Sequence, residues 1–152
     1  IKTNFVNSLE SFLSTEDEQE IVSAIRMAEK NTSGEIRVHI EWSTTESIDA
    51  RAKYVFHALK MDNTKFENGV LIYIGVENKK FGIYGDKGIN KKVDSDFWNK
   101  TRDVMQQYFV ASKFKTGIVE GIKSASEALG KFFPWEANDQ DELSNEISKG
   151  EV

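Results

Sequence analysis

The stretch NGVLIYIGVENKKFGIYG, residues 68–85, decides the fold of this chain. Its first half is a nearly continuous apolar run, which is typical of a central strand buried on both faces. The residues KKFGIYG, 79–85, predict a returning strand, and Glu77 and Asn78 predict a two-residue hairpin loop between the two. The returning strand is therefore expected to run antiparallel to the first.

One strand and two helices precede this hairpin. The segment EIRVHIEW alternates, so its polar residues, His39 among them, are expected on a wetter surface face of a strand. Helical spacing predicts a helix at 15–31, begun by a capping box of Thr15 and Glu18, and another at about 46–60. Strand, crossover helix and strand form a right-handed unit, so the first two strands are expected to run parallel.

Two further helices follow the hairpin. An apolar face that includes Trp98 and Met105 predicts a helix at about 95–110. The segment KTGIVEGIKSASEALGKFF predicts a last helix, in which Gly117 and Gly121 allow close approach to another element at some cost in helix propensity. The predicted order is helix, strand, helix, strand, strand, helix, helix.

The composition limits the class of protein. The chain has 152 residues, of which 39% are hydrophobic and 30% charged, which suits one soluble domain with a full core. No apolar run approaches the roughly 20 residues of a membrane span, and no signal peptide is visible. We therefore expect a cytoplasmic protein, although a start at Ile1 leaves an exported or anchored form open. The absence of cysteine excludes disulfides, thiolate catalysis and cysteine–zinc sites.

Charge is distributed unevenly along the chain. Residues 136–152 carry six acids and one base, which accounts for the net charge of −5. We expect an N-terminal extension at 1–13, one α/β domain at 14–135 and an acidic, flexible tail at 136–152. The remainder of the chain is neutral and shows no basic field, so nucleic acid is not the expected partner. We expect a monomer.

The predicted topology brings polar loop ends to one edge of the sheet. The end of the antiparallel strand lies beside the starts of the first two strands, and these points have the sequences GDKG, SGE and ENG. The side chains expected to converge there are Glu35, Glu67, Asn68 and Asp86. Asp94 and Asp96, at the start of the next helix, can fold back over the same edge.

Carboxylates this close repel one another unless they share a proton or a cation. Oxygen ligands suit a hard cation, so the cluster is a candidate Ca²⁺ or Mg²⁺ site, and Gly85 and Gly88 are expected to turn the backbone at positive φ. The alternative is structural, because Asp, Asn and Gly favour turns and Asp94 can cap a helix. Lys87 and Lys91 offer a rival ligand, a phosphate, although lysines also keep sheet edges soluble.

The same residues carry a resemblance to a known family. The stretches NTSGEIRVHIE, NGVLIYI and FGIYGDKGINKKVDSDFW, with the glycine-containing last helix, are similar in order to the TPM-domain family over about residues 15–134. The resemblance implies a three-layer α/β/α sandwich with a mixed central sheet and helices on both faces. It also implies a divalent-cation site, typically for calcium, at the acidic end. By position, the ligands fall on Asp86, Asp94, Asp96, Glu35 and Asn68.

Three functions follow as expectations. The first is a Ca²⁺-binding TPM domain that acts as a binding or accessory module, as other members of the family do. The second is a metal-assisted phosphatase, since plant members are linked to acid phosphatase activity; the cation would polarise a phosphoryl oxygen, and Lys87 or Lys91 would neutralise charge. The third is a protein-interaction module that uses the acidic tail or the aromatic segment Phe132–Trp135 for an unidentified partner. No residue is an evident nucleophile or general base with a positioning partner.

Overall fold

The computed structural model describes residues 9, 11–136 and 142–152. A four-stranded sheet in the order β3–β2–β1–β4 forms its centre. The strands are β1, Glu35–Glu41; β2, Gly69–Gly75; β3, Lys80–Gly85; and β4, Ser148–Lys149. The helices are α1, Thr15–Ala28; α2, Ile48–Ala58; α3, Lys87–Asn90; α4, Asn99–Val110; and α5, Phe114–Gly130. β1 runs parallel to β2 and β4, and β3 runs antiparallel to β2, so the sheet is mixed as predicted.

Helices cover both faces of the sheet. β2 is buried at every position, which its apolar sequence predicts. On one face, apolar residues of α1, α4 and α5 form the larger core with those of the three long strands. On the other face, Val55 and Phe56 of α2 pack with Leu71 and Tyr73 of β2. The predicted α/β/α sandwich is therefore confirmed.

The last two helices approach each other closely. A Cβ atom at Gly117 would lie 2.5 Å from the ring of Phe109, and one at Gly121 would lie 2.6 Å from the side chain of Met105. A side chain at either position would require Phe109 or Met105 to move, so the predicted close approach at these two glycines is confirmed.

Two predictions about the ends of elements are wrong. The capping box of α1 is formed by Ser14 and Asp17, because the side chain of Ser14 accepts from the N–H of Asp17 at 3.0 Å. The β2–β3 loop has four residues, Val76–Lys79, and the N–H of Lys79 donates to the carbonyl of Val76 at 3.2 Å. Lys79 takes a left-handed φ of 54°, which closes a longer turn than the expected one at Glu77 and Asn78.

The loop after β3 also differs from the prediction, because it forms the short helix α3. Among the glycines of the described residues, only Gly150 has a positive φ, so the expected left-handed turns at Gly85 and Gly88 are wrong. Gly88 is required for a different reason. A Cβ atom there would lie 2.4 Å from the carbonyl oxygens of both Phe66 and Glu67, so the backbones of α3 and the preceding loop are in close contact.

Residues 142–150, which we call the strap, lie against β1. β4 belongs to the strap, and the N–H of Gly150 donates to the carbonyl of Ile40 at 2.9 Å. Leu143 packs against the core beneath α2. The flexible tail predicted for 136–152 is therefore wrong for the strap. Its charge alone favours disorder, but apolar burial and strand pairing offset the entropy cost of ordering it.

Parts of the predicted terminal segments lie outside the described residues, namely 1–8 and 10 of the extension and 137–141 of the tail. Within the extension, Leu13 is buried, and the ring centroids of Phe12 and Phe114 are 4.8 Å apart. None of the described helices combines the length and the apolar character needed to cross a membrane.

Candidate functional site

The starts of β1 and β2 and the end of β3 meet at one edge of the sheet. The register places Glu35 opposite Gly69. The N–H of Glu35 donates to the carbonyl of Asn68 at 3.3 Å, and the N–H of Asp86 donates to the carbonyl of Gly69 at 2.9 Å. The structure therefore brings Glu35, Asn68 and Asp86 to one place, which we call the acidic edge.

The three side chains of the acidic edge are buried. Only 4% of Glu35, 1% of Asn68 and 5% of Asp86 is exposed. Oδ1 of Asp86 accepts from the N–H of Lys87 at 2.8 Å and so begins α3. Among the described residues, Oδ2 of Asp86 and Oδ1 of Asn68 have no hydrogen-bond partner. Two oxygen atoms of this edge thus lack a stabilising partner, and a buried acceptor without a donor costs about 1–3 kcal/mol of stability.

The structure does not join Asp94 and Asp96 to this group. Both side chains are exposed. The N–H of Asp96 donates to Oδ1 of Asp94 at 3.0 Å, and Oδ1 of Asp96 lies 3.4 Å from Nδ2 of Asn99. These bonds shape the turn before α4. In the described part of the chain, no three His, Cys, Asp or Glu side chains are grouped as in a metal site. The role of Asp94 and Asp96 as ligands stays a prediction.

The two lysines predicted for phosphate, Lys87 and Lys91, are both exposed at α3. Nζ of Lys87 lies 3.7 Å from Oε1 of Glu67, so a phosphate there would compete with a carboxylate. Glu67 itself takes a left-handed φ of 51°. Lys91 is exposed at the end of α3. Phosphate binding by Lys87 and Lys91 stays a prediction.

The strap reaches the acidic edge through Glu142. The N–H of Glu142 donates to Oε1 of Glu35 at 2.9 Å, and Oε2 of Glu142 accepts from the N–H of Lys65 at 3.1 Å. The strap therefore spans the start of β1 and the loop before β2. No pattern in the sequence predicts this contact, because it joins residues 107 positions apart.

A second polar cluster lies on the α2 face of β1. His39 is fully buried, which makes its predicted surface location wrong, because α2 and the strap cover this face. Nδ1 of His39 lies 2.8 Å from Oγ of Ser148, and Nε2 lies 3.3 Å from Oε2 of Glu41. Nε of Arg51 donates to both carboxylate oxygens of Glu41, at 3.1 and 3.0 Å.

The neighbours of Glu41 in this cluster change its pKa. Burial by itself would raise the pKa of Glu41, but hydrogen bonds from His39 and Arg51, with their charges, outweigh burial and lower that pKa below its ordinary value. Burial, and next the charge of Glu41, raise the pKa of Tyr73 well above its ordinary value. Ser148, His39 and Glu41 stand in the order of a hydrolase triad, but a fully buried His39 offers a substrate no access. The cluster therefore holds the strap in place.

These features belong to a known family. The chain is a member of the TPM domain family, whose model matches residues 6–128. The BA42 protein from the psychrophilic bacterium Bizionia argentinensis is 59% identical with a TM-score of 0.88, and the match covers 91% of this chain and 96% of that one.

Two more distant solved structures share the fold. One is the N-terminal domain of a protein from P. gingivalis, 15% identical with a TM-score of 0.69, over 85% of this chain and 83% of that one. The other is the N-terminal domain of the cg2496 protein from Corynebacterium glutamicum, 13% identical with a TM-score of 0.57, over 89% of this chain and 79% of that one. No curated protein matches the chain.

Proposed function

We propose that this TPM domain binds a divalent cation, Ca²⁺ in preference to Mg²⁺, at the acidic edge and acts as a binding or accessory module. One observation carries the proposal: Oδ1 of Asn68 and Oδ2 of Asp86 are buried without a partner among the described residues. Buried polar atoms in folded proteins nearly always have partners. A cation bound between these two oxygen atoms would give each of them a partner.

The chemistry of the donors favours a hard cation. Asp86 and Glu35 provide carboxylates, and Asn68 provides an amide oxygen, so every side-chain donor of the acidic edge is oxygen. Ca²⁺ tolerates irregular sets of about six to eight oxygens, whereas Mg²⁺ demands near-ideal octahedral geometry. Three side chains fill only part of such a set, so water would occupy other positions, and Asp94 and Asp96 are the candidates for further carboxylates.

The strap supports this site indirectly. The N–H of Glu142 donates to Oε1 of Glu35 and so fixes one oxygen of a proposed ligand. Hydrogen bonds of this kind hold a ligand in the orientation that the metal requires. We therefore expect the affinity for the cation to depend on the strap.

Calorimetric titration of the whole chain with CaCl₂ tests the proposal. We expect saturable binding, a rise in Tm with Ca²⁺, and at least about tenfold weaker binding in Asp86→Asn, which keeps the shape of the side chain but removes its charge. Asp103→Asn makes the same change at an exposed position of α4 and should bind as the original does. Absence of heat and of a Tm shift, or equal affinity in Asp86→Asn, would contradict a site at the acidic edge.

A metal-assisted phosphatase is the second candidate, and the position of Lys87, directly after Asp86 with its amine mostly exposed, favours it. Hydrolysis of p-nitrophenyl phosphate should then require the cation and fall in Asp86→Ala and Asp96→Ala. Turnover that survives both substitutions would point to a contaminant. The binding module is preferred, because the acidic edge offers buried ligands and no evident nucleophile.

An interaction module is the third candidate. Phe132 and Trp135, just beyond α5, are 40% and 49% exposed, which is high for aromatic residues. Trp135→Ala should weaken capture of a protein partner without changing Ca²⁺ binding. For all three candidates we propose that the protein is a monomer and is cytoplasmic.

A further inference from the structure

A cavity of about 520 Å³ lies at the opposite end of the sheet from the acidic edge. The end of β2, the β2–β3 loop, the end of α4 and the α4–α5 loop form its walls. Its volume falls within the roughly 300–1,000 Å³ of ordinary small-molecule sites. The cavity shares no residue with the acidic edge, so it can be examined independently of the proposed cation site.

The floor of the cavity is aromatic and packed. Phe109 contacts Phe81 and Phe114 with ring centroids 5.1 and 5.9 Å apart, and Phe12 lies 4.8 Å from Phe114. Phe12, Phe109 and Phe114 line the cavity directly, and Val110, 72% exposed, lies at its rim. Large rings held by one another offer an apolar surface that does not have to reorganise to receive a hydrocarbon body.

The polar groups of the cavity are donors rather than acids. Lys79, Lys80, Gln106 and Ser112 line it, and none of its described lining residues is acidic, although the chain carries 25 acids against 20 lysines and arginines. Among the described residues, no carboxylate lies within ion-pair distance of Lys79 or Lys80, and both lysines are exposed. A concave apolar surface with one sign of charge at its rim concentrates ligands of the opposite sign.

Two strained residues occupy the same rim. Lys79 and Ser112 take φ values of 54° and 59°, and they are two of the four described non-glycine residues with positive φ. Left-handed backbone costs such residues about 1–2 kcal/mol, and residues of this kind concentrate at ligand clamps. The strain comes from two separate loops that face one cavity, which a single awkward turn would not produce.

We propose that this cavity binds a small anionic amphiphile, a monocarboxylate of the fatty-acid class, with its apolar body along Phe109 and Phe114 and its carboxylate at Lys79 and Lys80. The aromatic floor selects the body of the ligand, and the two lysines select its charge. Ser112 and Gln106 supply further donors for the carboxylate oxygens.

The test is a titration of the whole chain with sodium decanoate, below its micelle concentration, followed by amide chemical shifts and calorimetry. We expect shifts confined to residues 12, 74–81 and 106–114, and weaker binding of decanol, which has the same chain without the charge. Lys79→Asn removes the charge with a residue that tolerates the left-handed backbone; we expect about a two- to fivefold loss of affinity, the range for exposed ion pairs.

Matched variants at Val110 separate charge from shape. Val110 is exposed, so substitution there should leave the fold intact. Val110→Glu should lower decanoate affinity by about the same factor, whereas Val110→Gln, of nearly equal size, should leave it within about twofold. Met27→Glu introduces the same acid at an exposed position of α1, away from the cavity, and should have no effect.

Four outcomes would overturn the proposal. They are absence of saturable decanoate binding, shifts spread over the whole surface, equal affinity for decanoate and decanol, and binding to anionic phospholipid vesicles without binding to free decanoate. The third would leave an apolar cavity with no preference for anions, and the fourth would assign the lysines and aromatic rings to a membrane surface.

Discussion

The two faces of β1 are both buried, but they are held in different ways. One face carries aliphatic residues such as Ile36 and Ile40, which lie in the larger core. The other carries Glu35, His39 and Glu41, each of which has a hydrogen-bond partner in the strap or in α2, together with Arg37, which is only partly buried. An aliphatic face tolerates exchange between side chains of similar volume. A buried polar face depends on every pair, because removal of one partner leaves the other unsatisfied.

The largest expected effect is at Glu41, whose side chain is 4% exposed and is paired with Arg51, 11% exposed. Glu41→Gln keeps the volume but leaves the guanidinium of Arg51 and the ring of His39 without their carboxylate. Loss of one partner of a buried pair typically costs about 3–5 kcal/mol. Urea unfolding at neutral pH should show a loss in that range.

Two controls sharpen the comparison with the aliphatic face. Glu46 lies 3.9 Å from Arg51 but its side chain is 52% exposed, so Glu46→Gln should change stability by less than about 1 kcal/mol. Ile36→Val, on the aliphatic face, should cost about 0.5–1.5 kcal/mol. A loss at Glu41 no larger than the loss at Ile36 would show that the polar pairs do not hold their face as argued.

The same pair predicts a pH dependence. Since the folded-state pKa of Glu41 is lowered, its contribution is present above the unfolded pKa of about 4.3 and is lost as pH falls through the lower, folded value. The stability difference between the original chain and Glu41→Gln should therefore be constant from about pH 5 to 7 and narrow on further acidification. A difference that widens in acid would contradict the assigned sign.

The aliphatic face was predictable from the sequence and the polar face was not. Alternation in EIRVHIEW and the continuous run in β2 depend on local spacing, and both strands form where these patterns predict. The burial of His39 depends on the strap, whose Ser148 lies 109 positions away. At the acidic edge, strand order sufficed to place Glu35, Asn68 and Asp86, because backbone topology alone determines where strands begin and end. The contact from Glu142 required the fold of the whole chain.

A further prediction compares the addition of one methyl group at Gly88 with the same addition at Gly121. At Gly88 a Cβ atom would meet the backbone carbonyls of Phe66 and Glu67 at 2.4 Å, whereas at Gly121 it would meet the flexible side chain of Met105 at 2.6 Å. Backbone cannot rotate away, so Gly88→Ala should cost about 1–3 kcal/mol. Gly121→Ala gains up to about 1 kcal/mol of helix propensity against the repacking of Met105, and its net change should be smaller. Thermal unfolding of both variants checks the order, and the reverse order would be evidence against it.

Another prediction isolates a single N–H of the strap, that of Glu142. Glu142→Pro removes both the N–H that donates to Glu35 and the carboxylate that accepts from Lys65, whereas Glu142→Ala removes only the carboxylate. The difference between the two variants should be about 1–2 kcal/mol, because the lost bond serves a buried carboxylate. Urea unfolding gives the stabilities, and calorimetry should show weaker Ca²⁺ binding in the proline variant. Equal stabilities would mean that this N–H does not support Glu35.

The smallest effect is a gain, at the helix that covers the polar face. α2 ends in a Schellman motif, in which the N–H of Met61 donates to the carbonyl of Phe56 and that of Lys60 donates to His57, both at 3.0 Å. Lys60 takes a φ of 57°, which glycine adopts without strain, so Lys60→Gly should raise stability by up to about 1 kcal/mol. Lys53→Gly, in the middle of α2, should instead lose about 1 kcal/mol. Because Lys60 contacts none of the polar pairs, its gain should add to the loss in Glu41→Gln; a gain that disappears in the double variant would show that the end of α2 and the buried pair are coupled.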